Sequence, residues 1–131
     1  MALFPCNVGG GGTLSETVLW TNPTPTASFA ARTITLSSDI NNFKYLKIVH
    51  KLSTSNNTES SVMYAVDDFK NLIINVGYIF GTISGRPSGS NMARRIGYDS
   101  DTSIRFTDSS GIGVSTTDNN SLIPLAIYGM K

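Results

Sequence analysis

The chain has 131 residues and a formal net charge of +1, from ten Lys and Arg against nine Asp and Glu. That length accommodates one domain, and the charge balance excludes an electrostatic DNA binder, whose surface carries a cationic excess. Hydrophobic residues at 40% exclude disorder, whereas Ser, Thr and Asn supply 42 residues, Glu occurs only at Glu16 and Glu59, and Gln is absent, which argues against surface helices and for strands and turns.

Residues 1–13 are expected to form a flexible or assembly-linked arm, because Gly9 to Gly12 hold neither strand nor helix unaided. Residues 14–131 are the expected single domain. Thr17 to Trp20 predict a first strand, closed by the segment with Pro23 and Pro25. Ser28 to Leu36 predict a second, with Ile34 and Leu36 on one face. A short helical turn ending at Asn41-Asn42 follows. Phe43 to Leu52 predict a third strand. Leu46, Ile48 and Leu52 share one face of it; Phe43, Tyr45 and Val49 share the other with Lys47 and Lys51. Both faces are therefore expected to be partly covered. Ser61 to Val66 predict a fourth, with Val62, Tyr64 and Val66 in phase, ended by Asp67-Asp68.

Leu72 to Phe80 alternate most cleanly and predict a core strand: Leu72, Ile74, Val76, Tyr78 and Phe80 face one way, and Asn75, Gly77 and Gly81 lie on the other face with Ile73 and Ile79. Gly85 to Ser90 read as a loop. Met92 to Tyr98 predict a sixth strand, with Met92, Arg94, Ile96 and Tyr98 together. Ser103 to Phe106 predict a seventh, Asp108 to Gly111 a turn, and Ile112 to Val114 a brief eighth. Leu122 to Met130 close the chain, and Pro124 predicts an edge or bulged strand there. Eight or nine short strands with turns between them predict an all-β antiparallel sandwich, jelly-roll-like. No helical pattern separates the strands, which excludes a parallel βαβ sheet.

Chemistry is sparse. The single cysteine, Cys6, excludes an internal disulfide and a cysteine-rich zinc site. The only histidine, His50, shares parity with Leu46 and Ile48, and is read as a sheet residue and not as a general base. No secretory leader and no membrane-length apolar run is visible. Asn56-Asn57-Thr58 and Asn119-Asn120-Ser121 match the glycosylation triplet and are read as polar turns. Gly85-Arg86-Pro87-Ser88-Gly89 misses the nucleophile elbow by one position, and no phosphate-binding loop occurs. Asp67-Asp68 and Asp99-Ser100-Asp101 are the only close carboxylates. They read as turn caps, since a glycosidase needs two carboxylates facing across a sugar. Asp99 to Ser103 open like a calcium loop but lack its glycine and distal Glu. Lys44, Lys47 and Lys51 around Tyr45, and Arg94-Arg95 near Tyr98, read as strand faces or subunit contacts. No catalytic residue, metal or cofactor is expected. Sugar recognition needs only rings and hydrogen-bonding groups. Its candidates are Trp20, Tyr45, Tyr64, Tyr98 and Tyr128 as rings, with Asp67, Arg86, Asp99 and Asp101 as polar contacts.

Glu16 to Asn22, Ser28-Phe29-Ala30, Asn42 to Ile48 and the closing Ile123 to Lys131 together resemble small β-rich structural proteins encoded near bacteriophage and prophage tail genes. The resemblance spans most of the chain. It implies a virion protein associated with the tail: a fibre, baseplate or host-recognition component, assembled in the host bacterial cytoplasm. It further implies a homotrimer whose partners are other tail proteins and, for a receptor-binding head, a host-surface glycan. No catalytic residue carries over. The expected function is structural or receptor-binding, by self-association and surface recognition. The alternatives are a carbohydrate-binding module and a small hydrolase.

Overall fold

The computed structural model describes residues 15–71, 77–82, 91–113 and 116–131. The expected arm, Cys6, the Leu72 to Val76 half of the fifth expected strand, the loop carrying Arg86, and Val114 lie outside the described residues. Eight strands form: β1 (Glu16–Thr21), β2 (Arg32–Thr35), β3 (Tyr45–Ser53), β4 (Glu59–Ala65), β5 (Gly77–Thr82), β6 (Asn91–Ser100), β7 (Ser103–Gly111) and β8 (Ser121–Met130). A 3-10 turn at Ile40–Asn42 precedes β3, and a one-turn helix, α1 (Val66–Phe69), follows β4. Two antiparallel four-stranded sheets result, ordered β1-β8-β3-β4 and β2-β7-β6-β5. The chain is a β-sandwich. β1 pairs with β8 and β2 with β7, distant partners in the chain, whereas β3–β4, β5–β6 and β6–β7 are sequential hairpins.

Alternation builds the core. Leu46 and Ile48 of β3, Met92 and Ile96 of β6, Ile104 and Phe106 of β7, and Ile127 of β8 are buried between the sheets. Each such side chain contributes about 1.5–3 kcal/mol on burial. The helical turn expected near Asn41 is present, and Asp39 caps it by accepting from the Asn41 N–H at 2.7 Å. Pro124 sits in β8, which is a central strand, at a bulge that sets His50 opposite Pro124 and Val49 opposite Ala126. Asn22 completes the pairing there. Its side-chain amide donates to the Pro124 carbonyl and its backbone N–H to the Leu125 carbonyl, both at 2.8 Å.

On β5, Phe80 points outward, 56% exposed, and Ile79 is buried. Gly81 lies on the inward side with Ile79, and a Cβ there would meet the Leu122 and Leu52 side-chain ends at 2.7 and 2.8 Å, so both leucines close against a bare glycine. Two expectations are corrected: Asp108 to Gly111 do not turn, and Ile112 and Gly113, expected to open a brief strand, are a turn. β7 runs through the first segment, pairing Ser109 with Arg94 and Gly111 with Met92. The ladder to β6 overrides the turn propensity of Ser and Gly. The turn falls at Ile112 and Gly113 instead, with Gly113 at φ +82.

Among the described residues Arg94, His50 and Lys51 are buried, and the first two lie between the sheets. Arg94 is fully buried and donates to three backbone carbonyls: Thr107 at 2.7 Å, Leu122 at 2.9 Å and Ser121 at 3.1 Å. Burial pushes its guanidinium down to about 10, which leaves it charged at neutral pH. His50 is also buried, and neither ring nitrogen has a partner in hydrogen-bonding geometry. Burial lowers it from 6.5 to about 4, against a weak raising effect from the Phe80 backbone.

Arg94→Met strands three carbonyls in a dry interior and is expected to cost about 3–5 kcal/mol in denaturant unfolding. His50 generates a pH dependence. Its folded pKa lies below its unfolded one, so its contribution is complete above pH 6.5 and is lost as pH falls toward 4. The loss is of order 3 kcal/mol. His50→Leu removes an unpartnered polar ring, so it should match or exceed the parent's stability at neutral pH and show no decline across that window. A variant that keeps the decline assigns it to other groups.

Candidate functional site

The residues singled out for recognition fall into three places. Tyr64, Tyr98, Asp99 and Asp101 come together at the β6–β7 turn. The Tyr64 ring lies 5.7 Å from Phe69 of α1, and Phe69 meets Tyr98 edge-on at 6.5 Å. The Tyr98 hydroxyl donates to Asp101 Oδ1 at 2.6 Å, and Ser103 donates to Asp99 Oδ2 at 2.6 Å. Lys70 Nζ donates to Asn41 Oδ1 at 2.8 Å and stands 3.7 Å from Asp101. The Tyr98 hydrogen bond, aided by Asn41 and Lys70, holds the Asp101 carboxyl below the usual range; the same bond pushes Tyr98 up. A catalytic acid needs the opposite shift. The cluster acts as a tie joining the 3-10 turn, α1 and the β6–β7 turn. Asp67 stands exposed on α1, and its backbone carbonyl accepts from Asn71 at 3.2 Å. Among the described residues, no three His, Cys, Asp or Glu side chains gather as a metal site would require.

Trp20 is half-buried in a separate aromatic cluster. It packs edge-on against Phe29 at 6.2 Å and tilted against Phe106 at 6.3 Å, and Phe29 meets Phe106 at 5.5 Å. Its ring closes the core. Arg86 lies outside the described residues.

Tyr45 and Tyr128 belong to the third place, the outer face of the β1-β8-β3-β4 sheet. Ile127 and Ile48 pair and point inward, so their neighbours Tyr128 and Lys47 point outward. One row then crosses all four strands in register: Val18 opposite Tyr128, Tyr128 opposite Lys47, Lys47 opposite Met63. Tyr45, paired with Met130 and Ala65, extends it to one side, and Val49, paired with Ala126, to the other. Val18 is 52%, Met63 47% and Tyr45 36% exposed. Lys47 does not break the apolar character. Its ammonium pairs with Glu16 and lies 5.0 Å over the Tyr128 ring. An antiparallel sheet facing water ordinarily alternates apolar-in with polar-out. This sheet instead carries Val18, Tyr45 and Met63 exposed on its outer face, among the polar residues Glu16, Lys47 and Ser61.

The signal for this surface was partly present in the sequence, where Phe43 to Leu52 carries apolar residues at both parities. Val18 and Met63 escaped notice because cross-strand register is not written in local alternation. No protein-family model matches the chain, and no curated protein matches it in sequence. Among the described residues the chain is an all-β sandwich whose first sheet turns Val18, Tyr45 and Met63 outward. Among the described residues no helix is long and apolar enough to cross a membrane.

Tyr98→Phe is expected to move the Asp101 carboxyl up toward the ordinary range, read by carboxyl-carbon NMR titration. An unchanged Asp101 would assign its shift to Asn41 and Lys70 instead.

Proposed function

We propose that the chain is a self-associating structural or receptor-binding component of a phage tail-related assembly, acting as a homotrimer through the outer face of its first sheet. The row Val18, Tyr128, Lys47 and Met63 carries this reading. A contiguous apolar patch rimmed by polar groups marks a protein contact, because leaving it in water forgoes the free energy of burying it. β1 and β4 are the outer strands of this sheet among the described residues, and an adjacent protomer on the same face would cover their margins. The tail assignment rests on the sequence resemblance given above. The reading is of a non-catalytic protein. Its support is the placement of His50 inside the sandwich opposite Pro124, while Asp99 and Asp101 sit at the β6–β7 turn beside the 3-10 turn.

Light scattering coupled to size exclusion is expected to give the mass of three chains. Val18→Asp with Met63→Asp should give a folded monomer, since both positions face outward. A parent chain that stays monomeric at high concentration overturns the proposal. Tail genes flanking its own are the second expectation; a locus outside phage or prophage DNA removes the tail assignment.

A further inference from the structure

We infer that Lys51 and Asn57 join in an intramolecular isopeptide bond, made once by the folded chain itself with Glu59 as the proton carrier. Strand alternation brings the three groups together. His50 points into the sandwich, so Lys51, its neighbour on β3, leaves the sheet on the outer side. Glu59 of β4 is its cross-strand partner. The Leu52 N–H bonds the Thr58 carbonyl at 3.1 Å. The next pair along, Lys51 and Glu59, is therefore a non-hydrogen-bonded one, in which facing side chains stand closest. A lysine on the outer face of a sheet ordinarily carries its ammonium into water. Lys51 is only 4% exposed. The loop between β3 and β4 folds back over it, and its Nζ donates to Asn57 Oδ1 at 3.0 Å and to the Thr54 carbonyl at 3.5 Å.

The loop around that contact is fixed by its own hydrogen bonds. Ser53 Oγ accepts from the Ser55 N–H at 3.3 Å and from the Asn56 N–H at 3.0 Å, and Asn56 Oδ1 accepts from the Thr58 N–H at 3.0 Å. The Thr54 N–H reaches the Asn120 carbonyl at 2.9 Å, which ties the loop to the turn before β8. The chain on both sides of Asn57 is thus held, and its carboxamide rests against the amine. Two reacting groups fixed in contact gain a large effective concentration. Asn57 Cγ lies one bond beyond the oxygen that Lys51 already touches. Among the described residues no acceptor holds the Asn57 amide nitrogen and no donor holds the Glu59 carboxylate. Both residues are exposed, so the leaving nitrogen has a path to solvent.

The step balances without an outside reagent. The Glu59 carboxylate takes a proton from the Lys51 ammonium, as a general base placed across the ladder. The neutral Nζ attacks Asn57 Cγ and passes one further proton to Nδ2. The Cγ–Nδ2 bond then breaks, ammonia leaves, and it takes up the proton that Glu59 held. An ammonium side chain and a carboxamide become a secondary amide and an ammonium ion, with no change of oxidation state. The product fastens β4, the outer strand of its sheet among the described residues, to β3.

Intact-mass spectrometry of the full chain, run after denaturation, tests the bond. The parent is expected to be lighter than its sequence mass by one ammonia. After trypsin, residues 48–70 should stay one peptide that carries this loss, uncut after Lys51. Lys51→Arg keeps a cation for the loop's acceptors and should show the full mass, as should Asn57→Ala. Glu59→Gln should leave most of the chain unlinked. A succinimide at Asn57 loses the same ammonia, but hydroxylamine cleaves it and Lys51→Arg retains it. A parent at full mass, a loss that survives in Lys51→Arg, a loss reversed by hydroxylamine, or tryptic cleavage after Lys51 each overturns the proposal. Linkage of Glu59→Gln to the parent's extent overturns the role given to Glu59.

Discussion

A guanidinium between two sheets needs acceptors, and Arg94 finds all of its own on the backbone. Its bonds to Thr107, Ser121 and Leu122 link β6 to β7 in its own sheet and to β8 in the other. Both strands are deformed where they meet it. The bulge at Arg95 places Thr107 opposite no inward partner, and Leu122 adopts φ +51. The left-handed region costs a leucine about 1–2 kcal/mol. Hydrogen bonds to a charged donor contribute about 1.5–3 kcal/mol each. The three together outweigh the strain, so the unusual backbone at Leu122 persists because consecutive carbonyls can then serve one cation. The Phe29 ring, 5.1 Å from the guanidinium, covers it from the side.

That arrangement fixes what the adjacent strand can do. With Leu122 drawn toward Arg94, its side chain closes on β5 at Gly81, which has no Cβ to displace it. Gly81 and Ile79 lie on the inward side and Phe80 points out. A similar close approach occurs at the other end of β8, where a Cβ on Gly129 would meet the Phe43 ring at 2.5 Å. There the interior takes an aromatic residue from before β3, and the strand that follows is free to present Tyr45 outward.

Much of the architecture was legible in local pattern. The alternation of Met92, Arg94, Ile96 and Tyr98 gave the inward face of β6, including its one charged member. The turn near Asn41 and the bulge at Pro124 also followed from residue chemistry, since Asp caps short helical turns and Pro cannot donate to a ladder. The parity of β5 did not, because two apolar sets compete there and the deciding contact comes from Leu122, over forty positions away in the chain. Asp108 to Gly111 failed for the same kind of reason. Their turn chemistry is real, but Asp108 spends its carboxylate on Ala31 and Asn119. Of the recognition candidates, Tyr64, Tyr98, Asp99 and Asp101 do meet, and what they build is a structural tie.

The low charge of the chain makes its few exposed cations informative. Lys51 is buried under its own loop and bonded to Asn57, Lys70 is held by Asn41 and Asp101, and Lys47 is held by Glu16. On the first sheet this leaves a face whose charge is locally cancelled, which suits a dry contact between protein surfaces. A neutral apolar face favours permanent burial against another chain. The buried Arg94, bonded to β7 in its own sheet and to β8 in the other, holds that face in fixed relation to the opposite sheet.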